Sequence, residues 1–502
     1  MNLSAPILNI PLPVIAGALA GAAGQFAIHL HKIRGFYIFS RRLVRKWSSM
    51  EKGGTEAGIR SEVKRRNILR AARIIKASQM LRTFVPQRPS IASTIPEPEV
   101  QGSDVFEPEK FHHEASEKEQ EEMQRKNLTQ DLQHFSGPIK LDSDLEKVFE
   151  FCRVKNNVKF SDAISFWKQK TAKKIAEGSY GEIYKFEHID GTERVFKCIP
   201  IDGQHAMNSY ENISLSVAVP DIVASKLLSD LSEGSNCAAP NFPIIYNISL
   251  VRDRFPDLLM RAWWNYKNSP ERLRDPAEHP PPDQYPESQS YLTIESSFCG
   301  EPLSMKHLQN AWVGVTIMSQ IVSALAAAEA AYNFEHRDLH LANILVQDTP
   351  AESLKYTIHN QHFSILTVGC HVSIIDFTLS RIYNDKNVYC IGLDDIARGS
   401  GDRENARDNV WLNHKTMYQI MGECSKGNRW DKFMPATNII WLKYMNENIL
   451  DYLRKNNPEN ESQMKAFRLL REWNECILGH MSAGDLLQDV ISKDNPIMSV
   501  HK

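Results

Sequence analysis

The chain has 502 residues, of which 42% are hydrophobic and 24% charged, with a formal net charge of −2. These ordinary proportions allow a sizeable core and two or three domains, and they give no overall bias toward nucleic acid, so sequence-specific nucleic-acid binding is not expected. Eight cysteines without a C-x-x-C pair argue against a zinc site or a disulfide framework and fit a reduced, intracellular setting.

Ala5 to Ile28 contains no charged residue, and Lys32, Arg34, Arg41, Arg42, Arg45 and Lys46 follow. An anchor with the remainder in the cytoplasm would obey the positive-inside rule. Pro11 and Pro13 interrupt the run, and Val14 to Leu30 is at the short limit for a span. Residues 1–30 therefore have two readings, a membrane anchor within 5–30 or a disordered or loosely helical leader. A secretory signal would need a preceding basic region, and none is present. Residues 31–82 hold 15 Lys/Arg against 3 acids, with apolar residues interspersed. This predicts a basic, partly amphipathic helix, either lying on a membrane or an acidic partner or simply solvated. Residues 94–125 carry ten acids with Pro96, Pro98 and Pro108, so 83–140 is expected to be a disordered acidic, Pro-containing linker.

From about residue 145 the pattern becomes globular. Lys173–Glu187 predicts a strand, a Gly turn and a strand, and Arg194–Ile199 a further strand. Val219, Ile222, Val223, Leu227 and Leu231 recur at helical spacing, predicting a helix over Val217–Leu231. Residues 252–288, rich in Pro, Asp and Arg, are expected to form a surface excursion. Tyr291–Ile294 predicts another strand, and Met305–Phe334 a long Ala-rich helix. Strand-heavy sequence followed by helix-heavy sequence predicts two lobes, about 145–298 and 299–502.

The segment His336-Arg337-Asp338-Leu339-His340-Leu341-Ala342-Asn343 is H-R-D-x-x-x-x-N, the spacing of a protein-kinase catalytic loop. Thirty-three residues after Asn343, the apolar run Val372-Ile374-Ile375 delivers Asp376. Phosphoryl transfer depends mainly on positioning and charge stabilisation. Asp338 is the candidate to accept or orient the proton of an attacking hydroxyl. Asn343 and Asp376 offer a neutral and a charged oxygen to Mg2+, which prefers hard oxygen ligands and keeps several waters. Arg337 is expected to hold the loop by hydrogen bonds.

Upstream, Ile175-Ala176-Glu177-Gly178-Ser179-Tyr180-Gly181-Glu182-Ile183 matches a kinase glycine-rich loop, with Ala176 at the first Gly position. Gly178 and Gly181 would let backbone N–H groups approach phosphates without a Cβ in the way. Val195-Phe196-Lys197 follows on the next strand, with Lys197 placed for the α- and β-phosphates. Ile175, Gly178, Gly181, Ile183, Lys197 and Glu295 are the expected ATP contacts. Each motif alone is weak, because a lone H-R-D or Gly-x-x-Gly is usually a turn. Their joint order predicts an α+β, bilobal protein-kinase-like fold with a β-rich N-lobe, a helical C-lobe and a largely disordered N-terminal extension.

The details resemble the haspin family, an atypical branch of the eukaryotic protein kinases, over about residues 145–502. The points of resemblance are Ala328-Glu329-Ala330, Phe334-Glu335-His336-Arg337-Asp338-Leu339-His340 and Ile374-Ile375-Asp376-Phe377-Thr378-Leu379-Ser380-Arg381. Asn428-Arg429-Trp430 and Asn438-Ile439-Ile440-Trp441-Leu442 are similar to the family's C-terminal signature. His340 stands where most Ser/Thr kinases carry Lys, Thr378 replaces the Gly of D-F-G, and A-P-E is missing, as in haspins. The resemblance implies an ATP- and Mg2+-dependent serine/threonine kinase of the nucleus and cytoplasm. Its implied substrate is a basic N-terminal histone tail in mitotic chromatin. His336, Arg337, His340 and Thr378 are supporting residues in that picture. Asp394, Asp395 and Asp402 would receive the tail, or would merely solvate their loop. Thr378 is β-branched and resists positive φ, so the Asp376 segment is expected to keep its metal-binding arrangement without activation-loop phosphorylation.

The chain also departs from the family. Asp221 stands where a helix Glu is expected to pair with Lys197, a reach deficit of about 1.5 Å. Segment 396–416 is longer than expected, and residues 1–82 have no evident family counterpart. A divergent paralogue fits these departures. Asp221 and the altered segment also motivate an alternative, a pseudokinase or scaffold that binds nucleotide or peptide without turnover.

Overall fold

The computed structural model describes residues 143–178, 180–201, 213–270, 279–399, 409–425, 430–455, 460–492 and 495–501. The leader, basic segment and linker expected over residues 1–140 lie outside these, as do Ser179, Asp402, Asn428 and Arg429.

The first half runs α1 (Ser143–Phe151), β1 (Lys155–Val158), β2 (Lys173–Glu177), β3 (Glu182–Glu187) and β4 (Glu193–Ile201). It continues through α2 (Leu215–Asp230), β5 (Cys237–Ala238), β6 (Ile245–Arg252), α3 (Asp257–Lys267) and β7 (Ser290–Ser297). Six strands form one sheet in the order β1-β6-β7-β4-β3-β2, with only the β1–β6 pair parallel. Strand alternation divides its residues between two cores. Phe196, Cys198 and Tyr291 pack on the outer face with Trp167, Tyr184 and Phe186. Ile199, Ile201, Leu292 and Ile294 belong to the main core with α2. Lys197 is in register with Ile294.

Helix α3 lies inside the expected surface excursion. Its Leu259, Ala262 and Trp263 are buried against the outer face of the sheet. The Pro, Asp and Arg residues that dominate the composition of 252–288 hid this short apolar stripe.

The second half runs β8 (Glu301–Pro302), α4 (Ala311–Tyr332), β9 (Ile344–Asp348), β10 (Ser353–Ile358), β11 (Gln361–Leu366) and β12 (Cys370–Ile374). Then come β13 (Ile382–Asn384), β14 (Asn387–Tyr389), α5 (Asp394–Gly399), α6 (His414–Ser425), α7 (Ala436–Lys455), α8 (Glu461–Cys476), α9 (Ala483–Ser492) and β15 (Met498–His501). The long helix expected over Met305–Phe334 begins later. Met305–Leu308 is a separate 3-10 turn, and the Asn310 side chain accepts from Trp312 N–H to start α4. Asn333, with φ 47°, ends it in the left-handed conformation asparagine tolerates. Among the described residues α4 is the one helix long and apolar enough to cross a membrane, and 89% of its apolar window is buried inside the protein. It is the central helix of the C-lobe, packed by α7, α8 and α9.

The long gap between Asn343 and Asp376 has a structural cause. Strands β9 and β12 pair antiparallel, with Ile344 opposite Ile374, and hairpin β10–β11 occupies the interval. Its turn residues His359 and Asn360 have φ of 49° and 65°, the twist of a two-residue hairpin turn. The hairpin is covered on both edges, by β5 and by β15.

Gly300 joins the two lobes between β7 and β8. Its φ is +93°, and a Cβ there would lie 2.1 Å from the Val346 carbonyl oxygen. Gly300→Ala is expected to destabilise the fold by more than the ~1–2 kcal/mol of a left-handed alanine, because backbone must also shift. A melting curve checks this, and an unchanged midpoint would show that the joint is not rigid.

Candidate active site

A cleft of about 930 Å³ lies between the six-stranded sheet and the C-lobe, a size suited to a nucleotide-sized ligand. Ile175, Gly178, Ile183, Val195 and Lys197 line it from the sheet. Ser296 to Gly300 line it from the connecting segment, and Asp338, Asn343, Leu345 and Asp376 from the C-lobe.

Two expected ATP contacts are placed elsewhere. Glu295 alternates with the cleft-facing Ile294 and Ser296, so its side chain points to the other face and pairs with Arg194 at 2.8 Å. Gly181 is buried outside the cleft lining. A Cβ on it would lie 2.4 Å from Cys198 O and 2.9 Å from Ile199 Cα. Glycine is needed there for close packing on β4 rather than for phosphate approach. Gly178 closes the hairpin by donating its N–H to Gly181 O at 2.8 Å, and a Cβ on it would meet only ordinary contacts.

Lys197 Nζ pairs with Asp221 Oδ2 at 2.9 Å. The expected reach deficit is therefore absorbed by the approach of α2 to β4. The other Asp221 oxygen accepts from Phe377 N–H at 3.3 Å, tying α2 to the residue after Asp376. Burial alone would lower the Lys197 ammonium, but Asp221 and then Asp376 outweigh it and hold it above the usual lysine range. Burial would raise Asp376, yet Lys197 and the Thr378 hydrogen bonds keep it below the ordinary carboxylate value. Thr378 Oγ1 donates to Asp376 Oδ1 at 2.8 Å, which orients the carboxylate. The positive φ, 65°, sits on Asp376 itself rather than on Thr378. Arg337 has φ 67°, so one left-handed residue directly precedes Asp338 and another is Asp376 itself.

The catalytic-loop segment is held from several sides. His336 Nδ1 accepts from Asp338 N–H at 3.2 Å, so Nε2 carries the proton and donates to Ile375 O at 3.0 Å. Burial pushes His336 down to about 4, keeping this bridge neutral. Asn343 Nδ2 donates to Asp338 O at 2.9 Å, and Asn343 O accepts from Ile375 N–H at 3.0 Å. The loop and the Asp376 segment are thus joined by hydrogen bonds on both sides. Burial raises the Asp338 carboxyl to about 7, opposed by a hydrogen bond from Tyr418 and aided by Asp376. His340 is lowered by burial and by His414, so it stays neutral 3.6 Å from Asp338 Oδ1. Where a lysine would bring a positive charge, this site has none from His340. Asp394 and Asp395 are exposed at the start of α5.

The sequence matches the haspin-like kinase domain family over residues 113–483. The chain belongs to that family. It is 31% identical over 354 residues to the serine/threonine-protein kinase haspin of Bos taurus and 31% over 348 residues to that of Mus musculus. These alignments cover 69% and 68% of this chain, and 43% and 44% of the relatives. The chain therefore matches under half of each mammalian haspin. The haspin homolog of Drosophila melanogaster is 28% identical over 371 residues, 72% of this chain and 63% of the relative.

Membership of a kinase family implies ATP and, typically, a divalent metal. The donor set fits both: Asn343 uses its amide nitrogen on Asp338 O, leaving its amide oxygen, and the Asp376 carboxylate lines the same cleft.

The haspin-like C-terminal signature also has a visible function in packing. Asn438 Oδ1 accepts from His336 N–H at 3.0 Å while Nδ2 donates to Glu329 and to Phe334 O. Trp430 O accepts from Arg337 Nη2 at 2.7 Å. Resemblance marks these residues in the sequence, but their role depends on contacts about a hundred positions apart. Tyr418, whose hydroxyl donates to Asp338 Oδ1, belongs to no motif in the sequence. The connector Ser296–Gly300 could have been found as the segment ending the fifth long strand. Outside the C-lobe part of the site, Glu177, Glu182 and His279 form a metal-like cluster. The buried Lys174 ammonium already lies 2.5 Å from each carboxylate, where a cation would sit.

Proposed function

We propose that this chain is a serine/threonine protein kinase that transfers the ATP γ-phosphate, with Mg2+, to a Ser or Thr hydroxyl on a basic, histone-tail-like peptide. The observation that carries this is Asp221. One oxygen pairs with Lys197 and the other accepts from Phe377 N–H, so a single carboxylate ties the sheet, α2 and the Asp376 segment into one closed arrangement. A kinase site needs that closure for turnover.

In this reading Lys197, kept cationic by its neighbours, grips the α- and β-phosphates. Asp338 accepts the hydrogen bond of the substrate hydroxyl and aims it at the γ-phosphorus. Asn343 and Asp376 hold magnesium, which when bound supplies charge neutralisation to the phosphates. His336 keeps the loop and the Asp376 segment in register without carrying charge. Asp394 and Asp395 offer negative charge to a basic peptide. By likeness to the haspins, the place of action is mitotic chromatin, in the nucleus and cytoplasm.

The pseudokinase alternative drew its motives from Asp221 and from segment 396–416; the 2.9 Å pair supports the enzyme on the first, and residues 400–408 of the second lie outside the described residues. Full-length protein with ATP and Mg2+ is expected to label Ser or Thr on a peptide array, most strongly on basic N-terminal histone-tail peptides. Asp376→Asn is expected to abolish the labelling. Nucleotide binding without transfer to any peptide would replace this reading by the pseudokinase one.

A further inference from the structure

Asp338 has a neighbour that comes from outside both motif segments. Helix α6 buries Met417, Ile420, Met421 and Cys424 against the C-lobe. His414 and Tyr418, four residues apart, lie one above the other on a helix face. Both meet the catalytic loop. The His414 ring is 5.7 Å from the His340 ring, and the Tyr418 hydroxyl donates to Asp338 Oδ1.

The backbone around Asp338 is fixed by His336 Nδ1 on its N–H and Asn343 Nδ2 on its carbonyl. Those bonds do not set the rotation of the carboxylate, a broad two-fold torsion. Among the described residues Tyr418 is the one hydrogen-bond donor recorded on the carboxylate, and it engages Oδ1. His340 Nε2, at 3.6 Å from the same oxygen, is too far to bond. Asp338 lines the cleft, and Oδ2 has no recorded donor among the described residues.

We infer that Tyr418 is a positioning residue: its hydroxyl holds Oδ1 so that Oδ2 is presented to the substrate hydroxyl. Burial and the Asp338 charge push the Tyr418 phenol above its ordinary range, so it retains the proton it donates. Its ring is fixed edge-on to Trp441, with centroids 5.5 Å apart at 74°, which anchors the donor to α7. The inference rests on the phosphoryl-transfer reading above.

Tyr418→Phe removes the hydroxyl and keeps the ring. With full-length protein, ATP and a labelled Ser/Thr peptide, kcat is expected to fall roughly 10- to 100-fold, the range for losing a hydrogen bond to a charged group. KM for ATP and the melting midpoint should stay at the wild-type values, which a merely structural role would not allow. If Asp338→Asn abolishes transfer while Tyr418→Phe keeps full kcat, the inference fails and the kinase reading stands. A rise in kcat would also overturn it, because the phenol would then be occupying the place of the substrate hydroxyl. A measurement without turnover gives a second decision. In protein labelled with 13C at tyrosine Cζ, the Tyr418 resonance, assigned by its loss in Tyr418→Phe, is expected to move in Asp338→Asn. An unmoved resonance would show that the phenol is not bonded to that carboxylate, whatever the activity.

Discussion

Asp338→Asn is expected to lower kcat by about 10²- to 10⁴-fold, the usual contribution of a positioned proton acceptor, while nucleotide affinity is retained. The amide is nearly isosteric with the carboxylate. It leaves the bonds from Asn343 to the Asp338 carbonyl and from Asp338 N–H to His336 in place. What it removes is the negative charge facing the cleft and the capacity to accept a proton. Lys197, Asp221 and Asp376 are untouched, so binding of ATP should survive. Steady-state kinetics on the phosphorylated peptide, together with titration of a fluorescent nucleotide, separate the two effects. Equal losses of binding and turnover would mean that the substitution disturbed the cleft. A kcat within a few-fold of wild type would mean that Asp338 only orients the hydroxyl, as a loose phosphoryl-transfer transition state permits.

Arg337→Ala is expected to destabilise the domain by about 3 kcal/mol, the lower end of the cost of breaking a buried ion pair by removing one partner, because Arg381 Nε remains 3.8 Å from the other Glu335 oxygen. Arg337 and Glu335 are both fully buried, with Nε 3.1 Å from Glu335 Oε2. Glu335 also accepts from Met434 N–H at 2.6 Å and Thr437 Oγ1 at 3.0 Å. Arg337 Nη2 donates to Trp430 O, and its guanidinium lies 5.4 Å from the Trp430 ring. The pair therefore joins the catalytic loop to the segment leading into α7. Urea unfolding measures the loss. The double change Glu335→Gln with Arg337→Met, which removes both charges while an amide oxygen still accepts from Met434 N–H, should cost clearly less than Arg337→Ala alone. Equal losses would show that packing, and not the stranded carboxylate, sets the stability.

The legible part of the site was the part that is local in sequence. His336 to Asn343 form one short stretch, an irregular loop ending in a 3-10 turn over Leu341–Asn343, so their spacing marks the motif although distant residues hold its shape. The order glycine loop, Lys197, H-R-D…N and Asp376 follows the order of strands and loops in the fold. The Glu295 side chain faces away from the cleft, because a strand shows each face to every second residue and the sequence does not say which face borders the cleft. Gly181 was assigned to phosphate when its constraint is the backbone of β4. Helix α3 was hidden because a composition average over 252–288 is dominated by its charged and Pro residues.

What the sequence by itself determined was the family and the bilobal α+β architecture, and it named candidate chemical side chains, of which Lys197, Asp338, Asn343 and Asp376 line one cleft. Family, architecture and candidates all depend on residue type and spacing along the chain. Only the tertiary structure decided whether Asp221 reaches Lys197, since that distance is set by how closely α2 packs on β4 and not by side-chain length. It likewise decided that Trp430 and Asn438 support the catalytic loop and that Tyr418 meets Asp338. These partners are 80 to 102 residues from the groups they hold, and such contacts exist only once α4, α6 and α7 have packed into a single core.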